Sequence, residues 1–261
     1  MRISRTRVDF LNGDGYWMFR LTANAWLEYL QQLSSLLRDP VYYGVGVPRG
    51  HGEQVLLIPG FTAGDWTLGT MARWLRRIGY RAHLSGIDLN VGCPKRKAEL
   101  VGWRVAKIAH DSHSRVAIVG HSLGGVLGRA IASIDPEYVS RVVALGSPIR
   151  YGWDSVRDEV RPTLNAVQAF WQRLADAPEE CGTFECSCGI ARRVFSKMPG
   201  AVRFDSIYTR SDEIVSWQAC LADDGPNHEV SGLHSSLIAN PAVYRLLGSI
   251  LAEAKSNHAT A

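Results

Sequence analysis

No stretch of this chain approaches the roughly 20 uninterrupted apolar residues that a membrane-spanning helix requires. Internal repeats and low-complexity tracts are also missing, and the composition sets aside collagen-like, coiled-coil and disordered chains. Cysteine is scarce and odd in number: Cys93, Cys181, Cys186, Cys188 and Cys220, so one stays unpaired unless chains cross-link. Cys186 and Cys188 are one residue apart, with no second pair at ligand spacing, which argues against a zinc site. One disulfide within 181–188, or from there to Cys220, fits the spacing. No uninterrupted apolar segment follows Arg2, Arg5 and Arg7, because Asp9, Asn12 and Asp14 break it. The expectation is therefore no secretory signal and a cytoplasmic protein.

Charge of one sign is not in large excess either: 29 Lys and Arg against 25 Asp and Glu. Residues 71–107 concentrate nine basic side chains against Asp88 and Glu99. These interleave with Met71, Trp74, Leu75 and Ile78, then with Ala98, Val101, Val105 and Ile108, at helical period. Solvated outer faces of two helices account for them, and no nucleic-acid partner is expected.

The chain of 261 residues is 46% hydrophobic, enough for a self-sufficient core without metal or disulfide staples. Its compositional excess is tryptophan, with eight. A helix is expected over 16–37, with Phe19, Trp26, Leu30, Leu33 and Leu37 on one face and Asp39-Pro40 ending it. After a Gly/Pro loop at 44–52, strands and helices alternate. Strands are expected at 55–58, 80–85, 116–119 and 142–145, with helices at 68–79, 95–110 and 123–134. Residues 148–201 break the rhythm with a helical stretch at 156–175. Strands at 203–209 and 228–232 and a helix at 240–255 resume it. The alternation predicts an α/β protein with a mostly parallel sheet and helices on both faces. Its parts would be an N-terminal helical extension (1–52), a core (53–147 and 202–261) and a helical cap insertion (148–201).

Gly120-His121-Ser122-Leu123-Gly124-Gly125 lies where an apolar strand meets a small-residue helix. A sharp turn there would lift the Ser122 hydroxyl above the sheet and aim a helix N-terminus at it. The neighbours two positions away must then lack side chains. His234, in the loop before the last helix, is the expected base, with His228 in reserve. His121 is adjacent to Ser122, but a turn this tight should point its ring elsewhere. Asp212, directly after the strand at 203–209, is placed to orient the imidazole. Asp205, Glu213 and Asp154 are its reserves. Oxyanion donors are expected from the backbone N–H of Leu123 and of Phe61, the latter in the loop Pro59–Gly64.

With these residues in view, the chain resembles the serine esterases and lipases of the α/β-hydrolase fold, from about Val55 to Leu251. The resemblance rests on Ile58-Pro59-Gly60-Phe61, the Gly120–Gly125 turn, Arg210–Val215 and Gly232-Leu233-His234. Many lipases carry His-Gly where this chain has Pro59-Gly60. Epoxide hydrolases and dehalogenases of the fold place Asp at the nucleophile position, so Ser122 argues against both. The resemblance implies carboxylic-ester hydrolysis through an acyl-enzyme, with no metal and no organic cofactor. Acyl transfer or thioester hydrolysis on the same triad, and a non-catalytic binding protein, are the alternatives. Trp66, Trp153, Trp171 and Trp217 are expected to border a cleft for an apolar acyl or aromatic group. Trp17 and Trp26 belong to helix 16–37, which would cover a core face or contact a lipid surface; Trp74 and Trp103 need only packing.

Overall fold

A computed structural model describes residues 14–150, 152–174 and 189–253. Six strands form one parallel sheet: β1 (Gln54–Ile58), β2 (Arg81–Leu84), β3 (Val116–His121), β4 (Val139–Leu145), β5 (Arg203–Tyr208) and β6 (Asn227–Glu229). Their order across the sheet is β2-β1-β3-β4-β5-β6. Seven α-helices accompany them among the described residues: α1 (Asp14–Arg38), α2 (Gly69–Arg77), α3 (Pro94–Ser112), α4 (Leu123–Ile134), α5 (Arg161–Leu174), α6 (Ile190–Phe195) and α7 (Pro241–Ala252).

The four central strands, β1, β3, β4 and β5, are buried on both faces, as parallel strands covered by helices must be, whereas the edge strands β2 and β6 are partly exposed. Alternate residues serve opposite layers. Val55, Leu57, Ala117, Val119, Val143 and Leu145 pack with Met71, Trp74 and Leu75 of α2 and with Val243, Tyr244 and Leu247 of α7. Leu56, Ile58, Val116, Ile118, Val142 and Ala144 face Ala98, Val101 and Val105 of α3 and Leu127 and Ile131 of α4. The expected inner faces of both basic helices are therefore apolar and buried. Trp74 fits the packing expectation: it is fully buried, and its indole N–H donates to the Val41 carbonyl at 2.8 Å. Trp103 does not; it is 82% exposed on the outer side of α3.

The N-terminal helix also departs from expectation. Of the stripe assigned to its inner face, Trp26, Leu30 and Leu37 are exposed, whereas Leu36 is the fully buried residue and Tyr29 packs on the core. The reason is the shape of its support. The helix rests along one edge on a 3₁₀ turn at His234–Ala239, so only a narrow strip is covered. Phe19 and Trp17 are not among the described side chains.

After β1 the chain passes to β2 on one side, then returns to build β3 on the other side of β1. Loops leaving the two strands diverge at that reversal and open a crevice beyond their carboxyl ends, the usual ligand position in open α/β sheets. The segment after β1 and the turn after β3 both emerge there.

Candidate active site

Ser122 joins β3 to α4 with φ 52° and ψ −121°, a backbone conformation that L-residues rarely adopt. The tightness of the turn explains the glycines beside it. A Cβ at Gly120 would lie 2.3 Å from the Gly124 carbonyl carbon, and one at Gly124 would lie 2.2 Å from the Ile58 carbonyl oxygen. No side chain fits either gap. The Ser122 N–H donates to the Leu145 carbonyl at 2.8 Å, tying the turn to β4. Leu123 is the first residue of α4, so its N–H belongs to the positive end of that helix.

His234 and Asp212 are both buried and adjacent, with Nδ1 of the imidazole 2.7 Å from Oδ2 of the carboxylate. Oδ1 of Asp212 accepts from the Ile214 and Val215 N–H groups at 2.9 and 2.8 Å. One oxygen thus anchors the carboxylate and the other holds the ring. Burial works against the His234 cation, but the Asp212 charge and hydrogen bond outweigh it, with Glu213 assisting. The His234 pKa is raised above the ordinary imidazole value. With Nδ1–H donated to Asp212, Nε2 carries the lone pair that a base needs.

Ser122, Leu123, His234 and Phe61 line one cavity of about 410 Å³. The structure thus brings together all five residues of the expected triad and oxyanion pair, Asp212 directly behind His234. The loop carrying Phe61 approaches the nucleophile turn closely: a Cβ at Gly60 would be 3.2 Å from Ser122 Cβ. Three of the reserve residues, His228, Asp205 and Asp154, lie elsewhere. His228 meets Asp205, which also pairs with Arg141. Asp154 lines a second cavity of about 770 Å³. There Arg129 and Asp224 form an ion pair at 2.6 Å.

Comparisons with known proteins agree with this fold. A family model described as alpha/beta hydrolase fold matches residues 106–180. The structure is similar to the Paleococcus ferrophilus monoacylglycerol lipase, with a TM-score of 0.53 and 15% identity over 79% of this chain and 97% of that one. A mature Bacillus licheniformis lipase gives a TM-score of 0.52 and 13% identity, covering 79% of this chain and 95% of that chain. This chain has the α/β-hydrolase fold. In sequence it is 32% identical over 71 residues to triacylglycerol lipases of Pseudarthrobacter phenanthrenivorans and Burkholderia plantarii. Those matches span 27% of this chain but only 22% and 20% of the relatives' lengths.

Within this fold, the tryptophans divide sharply. Trp66 lines the cavity, as expected, and is 69% exposed at its edge. Trp217 does not: it stacks on Tyr208 with ring centroids 5.8 Å apart, under the Arg210 guanidinium. Trp171 turns to Phe170 instead, in an edge-on contact on α5, and is absent from the cavity wall. The side chain of Trp153 lies outside the described residues. Trp26 of α1, the helix expected to cover a core face or contact lipid, lines the cavity with its neighbour Tyr29 and with Val156 and Leu164 of the insertion.

Four further residues shape the site. Asn90 is fully buried; its side-chain amide donates to the Pro59 carbonyl at 2.7 Å, and its backbone pairs with Thr62 and Ala63. It fixes the loop carrying Phe61. Glu213, a reserve acid in the sequence, instead accepts from the His234 N–H at 2.6 Å and from the Ser235 hydroxyl at 3.2 Å. A Cβ at Gly146 would lie 3.1 Å from His234 Nδ1, so that residue leaves room for the imidazole. His121, expected to point away, lines the cavity with Nε2 3.0 Å from the His234 carbonyl oxygen. Only adjacency to Ser122 or Asp212 could have flagged His121 and Glu213; nothing local marks Asn90 or Gly146.

Among the described residues, no three His, Cys, Asp or Glu side chains come together as a metal-binding group. Cys220 is a buried free thiol among the described residues, its pKa pushed up by burial and by Asp212. Cys181, Cys186 and Cys188 lie outside the described residues.

Proposed function

We propose that this protein is a serine carboxylic-ester hydrolase acting on esters with apolar acyl or aromatic groups. The observation that carries the reading is the Asp212–His234 pair at 2.7 Å, sharing a cavity with a strained Ser122 at a helix N-terminus. The lipase and esterase names among its relatives point to the same chemistry.

The reaction follows from the groups present. Nε2 of His234 removes the Ser122 proton as Oγ bonds to the acyl carbon, and the carbonyl electrons move onto oxygen. The oxyanion is received by the N–H groups of Leu123 and Phe61, each such donor contributing about 3–4 kcal/mol to the transition state. His234 then gives its proton to the departing alkoxide as the C–O bond breaks, leaving an acyl-enzyme. Water, deprotonated by the same Nε2, attacks that acyl carbon; collapse of the second tetrahedral species releases the acid and restores Ser122. Asp212 stays ionised throughout and stabilises the imidazolium.

Among the described residues the cavity wall contains no Asp, Glu, Lys or Arg, while Trp26, Trp66, Val126, Leu164, Ile214 and Ile238 supply apolar surface. A charged acyl chain would lose its hydration there without a partner. The insertion at 148–201 acts as a cap, joined to the acid loop by the Val156–Val215 bridge and the Ser216 N–H to Ser155 carbonyl bond at 2.7 Å. An active-site fluorophosphonate tests the proposal. Stoichiometric labelling of the wild type, abolished in Ser122→Ala, is expected. A folded wild type that is not labelled, or labelling that survives Ser122→Ala, would refute it.

A further inference from the structure

His121 is a histidine that the mechanism above does not use, yet it sits between two parts of the machinery. Its Nε2 is 3.0 Å from the His234 carbonyl oxygen, and the two rings lie 5.0 Å apart, tilted by 50°. A carbonyl oxygen only accepts, so Nε2 must carry the proton and Nδ1 the lone pair. On the Nδ1 side the ring abuts the loop after β1, where a Cβ at Gly60 would lie 3.0 Å away. Removal from water and the neighbouring His234 push the His121 pKa down to about 3, so the ring stays neutral when His234 takes up its proton. The opposite side of His234 is also held, because Glu213 accepts from its backbone N–H at 2.6 Å. The base is therefore gripped at both ends of its own residue.

We propose that His121 is a positioning residue: by donating Nε2–H to the His234 carbonyl while wedged against Gly60, it sets the base in register with Ser122 and the oxyanion loop. This inference rests on the triad reading. His121 does not exchange a proton with substrate; its contribution is the geometry of Nε2 on His234, to which acyl transfer is sensitive. It follows that loss of the donor should slow turnover while leaving substrate affinity alone, and that any side chain able to donate from the same place should restore the rate.

The full-length wild type, His121→Leu and His121→Gln are compared on a soluble nitrophenyl ester, with kcat and KM measured separately. The rate of Ser122 labelling by a fluorophosphonate is measured alongside. His121→Leu is expected to lose roughly tenfold in kcat with KM within about twofold, and to be labelled slower by the same factor. His121→Gln, whose amide N–H reaches the same carbonyl, is expected to recover most of both losses. If His121→Leu does not fold, His121→Phe, which keeps a ring without the donor, takes its place with the same expectation. Equal kcat in all variants, a change confined to KM, or His121→Gln as slow as the donorless variant overturns the proposal. A wild type that is not labelled refutes the triad itself; labelled wild type with undiminished variants refutes only the positioning role.

Discussion

The Asp212 carboxylate spends one oxygen on the N–H groups of Ile214 and Val215, which leaves the other for His234. That division decides the pH response of the site. A base must be neutral to act, and burial alone would keep His234 neutral; the Asp212 and Glu213 charges reverse the balance and raise its pKa. Activity should therefore fail on acidification at a higher pH than a free imidazole, of pKa about 6.5, would give. The acid limb of kcat/KM checks this, and a limb centred below that value would contradict it. His121 titrates far lower and should leave no mark on the same profile. At this scale the sequence was informative where function is local. Ser122 between Gly120 and Gly124 can be read from its own segment, although only Gly120 answers a crowding within five residues; Gly124 makes way for Ile58 of β1. His121 was misjudged because its partner, His234, is 113 residues away.

Among the elements, the loop after β1 shows how the proposed donor Phe61 is held in place without regular structure. Its residues Pro59, Thr62 and Ala63 all bond to Asn90, which sits between β2 and α3. Removing the amide orphans the buried Pro59 carbonyl, a cost of about 1–3 kcal/mol. Asn90→Ala should lower stability by that order and reduce kcat roughly tenfold through a displaced Phe61 N–H. Thermal denaturation and steady-state kinetics read the two effects; an unchanged kcat would show that Asn90 supports the fold without aiming the donor. The helices and strands were mostly legible, since α4 (Leu123–Ile134) and β1 (Gln54–Ile58) carry strong periodic or continuous apolar signals. The expected strand at 228–232 shrinks to Asn227–Glu229, because it pairs only along one edge with β5. The 3₁₀ turn that carries His234 and the helix at Ile190–Phe195 left no clear pattern, being short and governed by what they pack on.

For the whole molecule, the cavity beside Ser122 is a meeting of segments distant in sequence. Ala25, Trp26 and Tyr29 come from α1, Trp66 from the stretch after β1, Val156 and Leu164 from the insertion, and Ile238 from the turn before α7. No helix among the described residues is long and apolar enough to cross a membrane. Trp26, 58% exposed, stands at the cavity edge. Trp26→Ala and Tyr29→Ala should lower kcat/KM for medium-chain nitrophenyl esters by roughly tenfold while sparing acetyl esters, because each removes apolar wall from the cavity. A chain-length profile decides it; equal losses on short and medium chains would remove α1 from substrate selection.

What the sequence determined by itself is the set of features whose cause is local. Apolar runs specify doubly covered strands, amphipathic periods specify the α2 and α3 inner faces, and glycine spacing specifies the turn at Ser122. The chain order Ser122, Asp212, His234 then follows from the loops in which they sit. Tertiary structure alone decided which tryptophans meet the cavity, which carboxylate faces the imidazole and which grips its backbone, and that Asn90 and His121 belong to the site. The physical reason is range. Periodicity and backbone sterics act over a few residues, whereas cavity walls and buried hydrogen-bond partners exist only once distant segments have been brought together.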